Sequence, residues 1–116
     1  MSKTLGPYTP AVRAGDFIFV SGQLGMLDGA LADGVSAQTG RAIENLAGQL
    51  ESMGATLGDV VKTTCFLADM DAFATFNDAY VAGFGSHRPA RSTIAVRELP
   101  VKGLVEIEAV AFKPAG

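Results

Sequence analysis

Apolar residues return every three or four positions along residues 37–53. This spacing predicts an amphipathic helix whose apolar stripe faces a core. Ser36 stands directly before the segment, where a side-chain oxygen can cap the free N–H groups of a helix. Gly54 follows the last apolar position and is typical of a helix C-terminus.

A second helical pattern follows, and its apolar side is aromatic. The aromatic residues of this stripe are Phe73, Phe76, Tyr80 and Phe84. Asp69 or Asp71 can cap the N-terminus of the helix. Pro89 prevents its continuation, so the helix is predicted to end near residue 84.

Short runs rich in β-branched, aromatic and apolar residues predict the strands. These runs cover residues 17–21, 60–67, 92–96 and 104–112. The loop at residues 99–103 suits a hairpin-like return between the last two strands. The order of strands and helices predicts an α+β fold with both helices on one face of a sheet, in a single domain over residues 1–116.

The last predicted strand carries acids on one of its two faces. Period-two alternation places Glu106 and Glu108 on one face, opposite an apolar face of Val105, Ile107, Ala109 and Ala111. If residues 91–96 pair antiparallel with this strand, Arg91 and Thr93 would face the two acids. Because a slip of one residue reverses the faces, the acids are either exposed to solvent or part of a buried site.

The composition excludes several classes of function. Hydrophobic residues make up 48% of the 116 residues and charged residues 18%, as in a folded globular chain. The net charge is −3, with nine Lys and Arg scattered among twelve acids, whereas nucleic-acid binders normally present a basic face. No apolar run approaches the ~18 residues of a membrane span. Neither nucleic acid nor a membrane is therefore expected as a partner.

Cysteine and histidine are too few for several kinds of site. Cys65 is the single cysteine, and the N-terminus lacks the apolar segment of a signal peptide. Both features favour the cytoplasm. His87 is the single histidine, which excludes a zinc site built on several histidines. We expect no metal and no cofactor, with Cys65 in the core and His87 at the surface.

Several polar residues are candidates for a binding site, each with an ordinary alternative. The rigid fork of donors on Arg91 suits a carboxylate, although a solvated arginine at a strand end is the more common case. Asn77 borders the aromatic stripe and can bond a neighbouring loop or a ligand. Ser21 and Gly22 form either a turn or an anion-binding corner. Tyr8 follows Gly-Pro and can pack or line a pocket.

Taken together, these segments resemble the RidA/YjgF family of reactive-intermediate deaminases, also labelled L-PSP endoribonuclease-like. The resemblance runs from about Gly6 to Phe112. It rests on Gly6-Pro7-Tyr8, Val20-Ser21-Gly22-Gln23, Val60-Val61-Lys62-Thr63-Thr64, Phe73-Ala74-Thr75-Phe76-Asn77, Pro89-Ala90-Arg91-Ser92, Leu99-Pro100 and Glu106-Ile107-Glu108-Ala109.

The resemblance implies a chorismate-mutase-like α+β fold with a mixed sheet, and a homotrimer with its sites between subunits. Active members hydrolyse 2-imino and 2-enamino acids, such as 2-aminoacrylate, to 2-keto acids and ammonia. They need no metal or organic cofactor. The alternatives are a trimer that binds small carboxylate-bearing metabolites without turnover, and, disfavoured by the acidic charge balance, an endoribonuclease-like translation inhibitor.

The resemblance also assigns roles to residues. Arg91 matches the arginine that holds the substrate carboxylate, and Glu106 matches the acid that positions or activates water. The substrate-binding positions are Tyr8, Ser21, Gly22, Asn77, Arg91 and Thr93. Thr93 stands where the best-known branch of the family commonly has cysteine, so the substrate range of this chain is open.

Overall fold

Two helices and seven strands form the structure, a computed structural model that describes residues 4–116. The helices are α1 (Val35–Ser52) and α2 (Phe73–Phe84). The strands are β1 (Ala11–Ala14), β2 (Phe17–Leu24), β3 (Met26–Leu27), β4 (Ala30–Leu31), β5 (Val60–Leu67), β6 (Ala90–Ala95) and β7 (Val105–Phe112). The four predicted strands and both predicted helices are present, whereas β1 and the small β3–β4 pair were not predicted.

The five long strands form one mixed sheet in the order β1-β2-β7-β5-β6. Strands β5 and β6 are parallel and are connected through α2, while the other neighbours are antiparallel. The predicted α+β fold is confirmed. The predicted hairpin between the last two strands is wrong, because β5 lies between β6 and β7. A parallel pair needs a crossover, which here places α2 over the sheet.

The core lies between the sheet and the helices. The predicted alternation in β7 is confirmed, since Val105, Ile107, Ala109 and Ala111 are all buried. Helix α1 packs on β2 and β7 and also contacts α2. Cys65 on β5 is buried in this core, as predicted.

The sheet face turned away from the helices, called the open face below, carries large apolar side chains. Those that are exposed are Val12, Phe17, Phe19, Ile94 and Phe112. The rings of Phe17 and Phe112 meet edge to face, with centroids 5.2 Å apart. A water-facing antiparallel sheet normally presents polar side chains on its outer face, so this face has the character of a contact surface.

The helix termini differ from the prediction in their capping residues. Helix α1 begins at Val35 after Gly34, whose φ of 91° lets the chain turn into the helix without any side-chain cap. Ser36 therefore lies inside the helix, and its predicted capping role is wrong. Asp69 accepts a hydrogen bond from Asp71 N at 2.9 Å and caps a short 3₁₀ turn that leads into α2. Within residues 4–116, neither helix is long and apolar enough to cross a membrane.

Candidate functional site

Two predicted site residues of β6 face helix α2, which carries a third. Arg91 and Thr93 of β6 pair with Thr63 and Cys65 of β5, whose side chains face the core. Arg91 and Thr93 therefore point towards α2. On that helix Asn77 follows Phe73 by one turn. We call Arg91, Thr93 and Asn77 the arginine cluster.

Aromatic rings hold the guanidinium group of Arg91. Its Cζ atom lies 4.9 Å from the ring centroid of Tyr80, 5.5 Å from that of Phe76 and 5.6 Å from that of Phe73. These distances are those of cation–π contacts. Among residues 4–116 the one ion pair joins Arg41 and Glu44, so no carboxylate of the described chain neutralises Arg91. Its fork of donors remains available to an external anion.

Two buried polar atoms of the arginine cluster have no hydrogen-bond partner within residues 4–116. They are Asn77 Oδ1 and Thr93 Oγ1. An unpaired buried polar atom typically costs ~1–3 kcal/mol, and such atoms persist where a ligand or water completes them. Beside an unpaired arginine, they indicate a place for a polar ligand.

Glu106 lies on the open face of the sheet, against the irregular part of β2. The pairing of β2 with β7 shifts register between Val20 and Gln23, and Gly22 lies in this bulge. A Cβ atom on Gly22 would lie 2.6 Å from Glu106 Oε2. Only glycine at this position leaves room for the carboxyl group. We call Ser21, Gly22 and Glu106 the glutamate cluster.

Hydrogen bonds connect the glutamate cluster to the segment before β1. Ser21 Oγ donates to Thr9 O at 2.7 Å, and Ser21 N donates to Pro10 O at 2.9 Å. The serine thus holds the chain that carries Tyr8. The Tyr8 side chain is exposed, and its hydroxyl accepts a long 3.5 Å hydrogen bond from Leu5 N. It is free to contact a ligand or another subunit.

Two features of its surroundings act on the pKa of the Glu106 carboxyl group. Burial raises the pKa of Glu106 above its ordinary value, and the nearby charge of Glu108 raises it further. A carboxyl group with a raised pKa can exchange protons with water more readily near neutral pH than an ordinary glutamate. The position and the pKa of Glu106 both suit a group that activates water.

The two clusters lie apart within one chain. Strand β5 separates β6 from β7, and Arg91 points to the helices whereas Glu106 points to the open face. Neighbouring strands are about 4.8 Å apart, so the two backbones are roughly 10 Å apart before the opposite directions of the side chains are counted. The expectation that Arg91 and Thr93 face Glu106 and Glu108 is therefore wrong, because it required β6 to pair with β7.

A shallow depression of about 250 Å³ lies on the open face. Its polar lining residues are Ser21, Lys62, Thr64 and Glu108. It touches neither Arg91 nor Glu106, so it does not join the two clusters. Within residues 4–116, no three His, Cys, Asp or Glu side chains are close enough to hold a metal ion.

Sequence reasoning missed the contribution of Thr63 and Tyr80. Their hydroxyl oxygens are 2.7 Å apart in the core, and the ring of Tyr80 lies 4.9 Å from Arg91 Cζ. The aromatic stripe of α2 was the available signal, but it was interpreted as core alone. His87 was predicted to be at the surface. It is half-buried instead, with Nε2 2.7 Å from Val60 O, because the loop after α2 folds back onto β5.

The chain is similar to known proteins over almost its whole length. Residues 1–113 match the model of the family described as Endoribonuclease L-PSP. A RutC family protein of Pyrococcus abyssi is 44% identical over 114 residues, which is 96% of this chain and 90% of the relative. The 2-iminobutanoate/2-iminopropanoate deaminase of Salmonella typhimurium is 41% identical over 114 residues, covering 94% and 89%. The crystal structure of Escherichia coli TdcF with bound serine superposes with a TM-score of 0.90 at 34% identity, covering 95% and 91%.

Proposed function

Because this chain belongs to the Endoribonuclease L-PSP family, the family of the RidA/YjgF deaminases, we propose that it hydrolyses reactive 2-imino and 2-enamino acids to 2-keto acids and ammonia. The resemblance noted from the sequence is confirmed at the level of family and fold. The observation that carries the proposal is that, in the part of the chain that the structure describes, the guanidinium of Arg91 has no ion pair and the facing elements β6 and α2 carry two buried polar atoms without partners. That arrangement suits a small molecule with a carboxylate and an adjacent polar group.

The reaction needs few protein groups. The imine carbon next to the carboxylate is already electrophilic, so the protein has to orient the substrate and direct one water molecule to it. Arg91 holds the carboxylate. Glu106 accepts a proton from the attacking water, whose oxygen bonds to the imine carbon. Glu106 returns this proton to the nitrogen, and the hydroxyl group formed on the carbon gives up the second proton of the water to the same nitrogen. The carbon–nitrogen bond then breaks, ammonia leaves, and the carbonyl of the 2-keto acid forms.

A second copy of the chain is needed to bring Arg91 and Glu106 to one substrate. The open face supplies a surface for that copy, since Phe17, Phe19 and Phe112 are 42%, 48% and 43% exposed there. Exposed aromatic groups of this size are typical of subunit contacts. We therefore propose a closed homotrimer, as the family resemblance implies, with one site at each subunit boundary.

The same clusters would also suit a trimer that binds a carboxylate without turnover. Turnover separates the two functions, whereas binding does not. An RNA-cleaving function finds less support, because the chain has a net charge of −3 and the arginine cluster offers one arginine rather than a basic surface.

A coupled assay tests the proposal. A pyridoxal-phosphate dehydratase would generate 2-aminoacrylate or 2-aminocrotonate, and the release of the 2-keto acid would be followed with wild type and with Arg91→Ala. We expect faster release with wild type and a loss of at least about 10–150-fold in Arg91→Ala, the range for one charge-assisted contact. Arg41→Ala is the matched control, because Arg41 pairs with Glu44 on α1. A folded wild type that accelerates none of several imines would contradict the enzymatic function.

A further inference from the structure

A buried hydrogen bond anchors the tyrosine whose ring lies against the guanidinium of Arg91. The hydroxyl groups of Tyr80 and Thr63 are 2.7 Å apart, and the two residues are 4% and 0% exposed. The ring of Tyr80 is the nearest of the three rings to Arg91 Cζ, at 4.9 Å. Thr63 is also the residue of β5 that pairs with Arg91 in the parallel ladder. One threonine therefore contacts the tyrosine and is the strand neighbour of the arginine.

We propose that Tyr80, held in place by Thr63, is a positioning residue that orders Arg91 for binding a carboxylate. The proposal rests on the function proposed above and adds to it a positioning role for Tyr80 and Thr63. Arg91 has no ion pair among residues 4–116, so its long side chain is not fixed by a charge partner. An arginine side chain loses rotamer entropy when it becomes fixed. Packing on the aromatic rings orders the side chain of Arg91 already in the free protein, so that it loses less entropy when a ligand binds.

The hydroxyl of Tyr80 determines where its ring can lie. In a core, a hydroxyl that is buried must keep its partner, so a rotation of Tyr80 would leave two unpaired groups. The ring is also packed between Phe76 and Phe84, with centroids 5.6 Å and 4.7 Å away. Phenylalanine at position 80 would preserve these ring contacts but not the anchor to Thr63. The inference therefore concerns the hydroxyl rather than the aromatic character of residue 80.

Burial keeps Tyr80 neutral over the working range of pH. Desolvation raises the pKa of its phenol, and the hydrogen bond with Thr63 only partly opposes this. Neutral Tyr80 does not form an ion pair with Arg91, so the positive charge of the arginine is left for the substrate. This distinguishes the tyrosine from an acid at the same position, which would compete with the ligand.

Two variants, Tyr80→Phe and Thr63→Val, test the positioning role, because each removes one partner of the hydrogen bond between residues 63 and 80. The first measurement is the NMR order parameter of Arg91 Nε, which does not depend on turnover. We expect Arg91 to be ordered in wild type, unlike exposed Arg97, and to become mobile in both variants. Thr39→Val is the matched control, since Thr39 is another fully buried threonine whose hydroxyl bonds Val35 O on α1. It should leave Arg91 ordered.

The second measurement is the affinity for pyruvate, a 2-keto acid with the expected carboxylate. We expect the dissociation constant and KM to rise about three- to tenfold in Tyr80→Phe and Thr63→Val, because the ring at position 80, no longer anchored by the hydrogen bond, would move out of its cation–π contact with Arg91, with kcat within about twofold. A mobile Arg91 in wild type, or an ordered Arg91 and unchanged pyruvate affinity in the variants, would overturn the proposal. If Arg91 orders and binds pyruvate as expected but no imine is hydrolysed, the positioning role stands and the enzymatic function fails.

Discussion

Glu106 occupies the space that Gly22 leaves by having no side chain. The carboxyl oxygen Oε2 would be 2.6 Å from a Cβ atom at position 22, well inside van der Waals contact. The bulge in β2 and the acid on β7 are thus one structural unit, formed by two strands that are neighbours in the sheet. Any side chain at position 22 has to displace the carboxyl group.

Gly22→Ala is expected to lower catalysis far more than it lowers stability. Gly22 does not have a positive φ, so alanine fits the backbone and the main effect is a shift of Glu106. A misplaced catalytic group of this kind costs on the order of 100-fold in kcat/KM. The measurement is kcat/KM together with the melting temperature.

Gly48→Ala provides the control for the glycine substitution. Gly48 lies in α1, and a Cβ atom at this position would have no neighbour within 4 Å. Alanine there should raise stability by about 0.5–1 kcal/mol and leave kcat/KM unchanged. Full activity in Gly22→Ala would show that the position of Glu106 is not important.

The raised pKa of Glu106 predicts a pH dependence of stability. Because the folded state holds the proton more tightly than the unfolded chain, the protonated form stabilises the fold below the ordinary pKa of 4.5. That contribution is lost as the pH rises through the raised value. Glu106→Gln should therefore melt higher than wild type at pH 7, by about 1–3 °C since the group is only half-buried, and the difference should vanish below the ordinary pKa.

The same pKa is expected to set the acidic limb of the pH profile of kcat/KM for the proposed hydrolysis. If Glu106 must be ionised to accept a proton, kcat/KM should fall as the pH drops through its raised pKa. Glu108→Gln removes the second cause of the shift, so the limb should move to lower pH. A limb that stays in place in Glu108→Gln would contradict the role of Glu106 as the base.

Thr93→Val is expected to raise the stability of the fold and to weaken ligand binding. The hydroxyl of Thr93 is buried without a hydrogen-bond partner among the described residues 4–116, so replacing it with a methyl group of similar size should raise stability by about 1 kcal/mol. If the hydroxyl pairs with the substrate, the affinity for pyruvate should fall in the same variant. Thermal unfolding and ligand titration measure the two effects, and a variant that is less stable yet binds normally would show that the atom has a structural partner.

Local patterns in the sequence were enough to predict most elements of the fold. The alternation of β7 identified its buried face, and the aromatic spacing of α2 identified Phe76, Tyr80 and Phe84 as buried, because each face follows from a period that one strand or helix sets by itself. Phe73, at the start of the same stripe, is exposed instead. Gly34 shows the limit at a helix terminus. Its positive φ replaced the side-chain cap expected from Ser36, and only the backbone conformation reveals that.

Pairing between strands could not be predicted in the same way. Residues 91–96 and 104–112 are neighbours in the sequence, yet β5 lies between them in the sheet. That order depends on the crossover through α2, a long-range property of the chain. The arrangement of the candidate site also depends on strand pairing, which local sequence patterns do not predict. The sequence identified Arg91 and Glu106, but only the sheet order shows that they face opposite sides of one chain.

The most direct test of a site shared between subunits is to mix two inactive variants. Arg91→Ala and Glu106→Gln would be unfolded together in equal amounts, refolded, and assayed for 2-keto acid release. If each site takes Arg91 from one subunit and Glu106 from its neighbour, half of the arginines and half of the glutamates are intact, and about a quarter of the sites are complete. We predict about a quarter of wild-type activity. Activity no higher than that of the separate variants, in a mixture shown to contain mixed assemblies, would contradict the shared site.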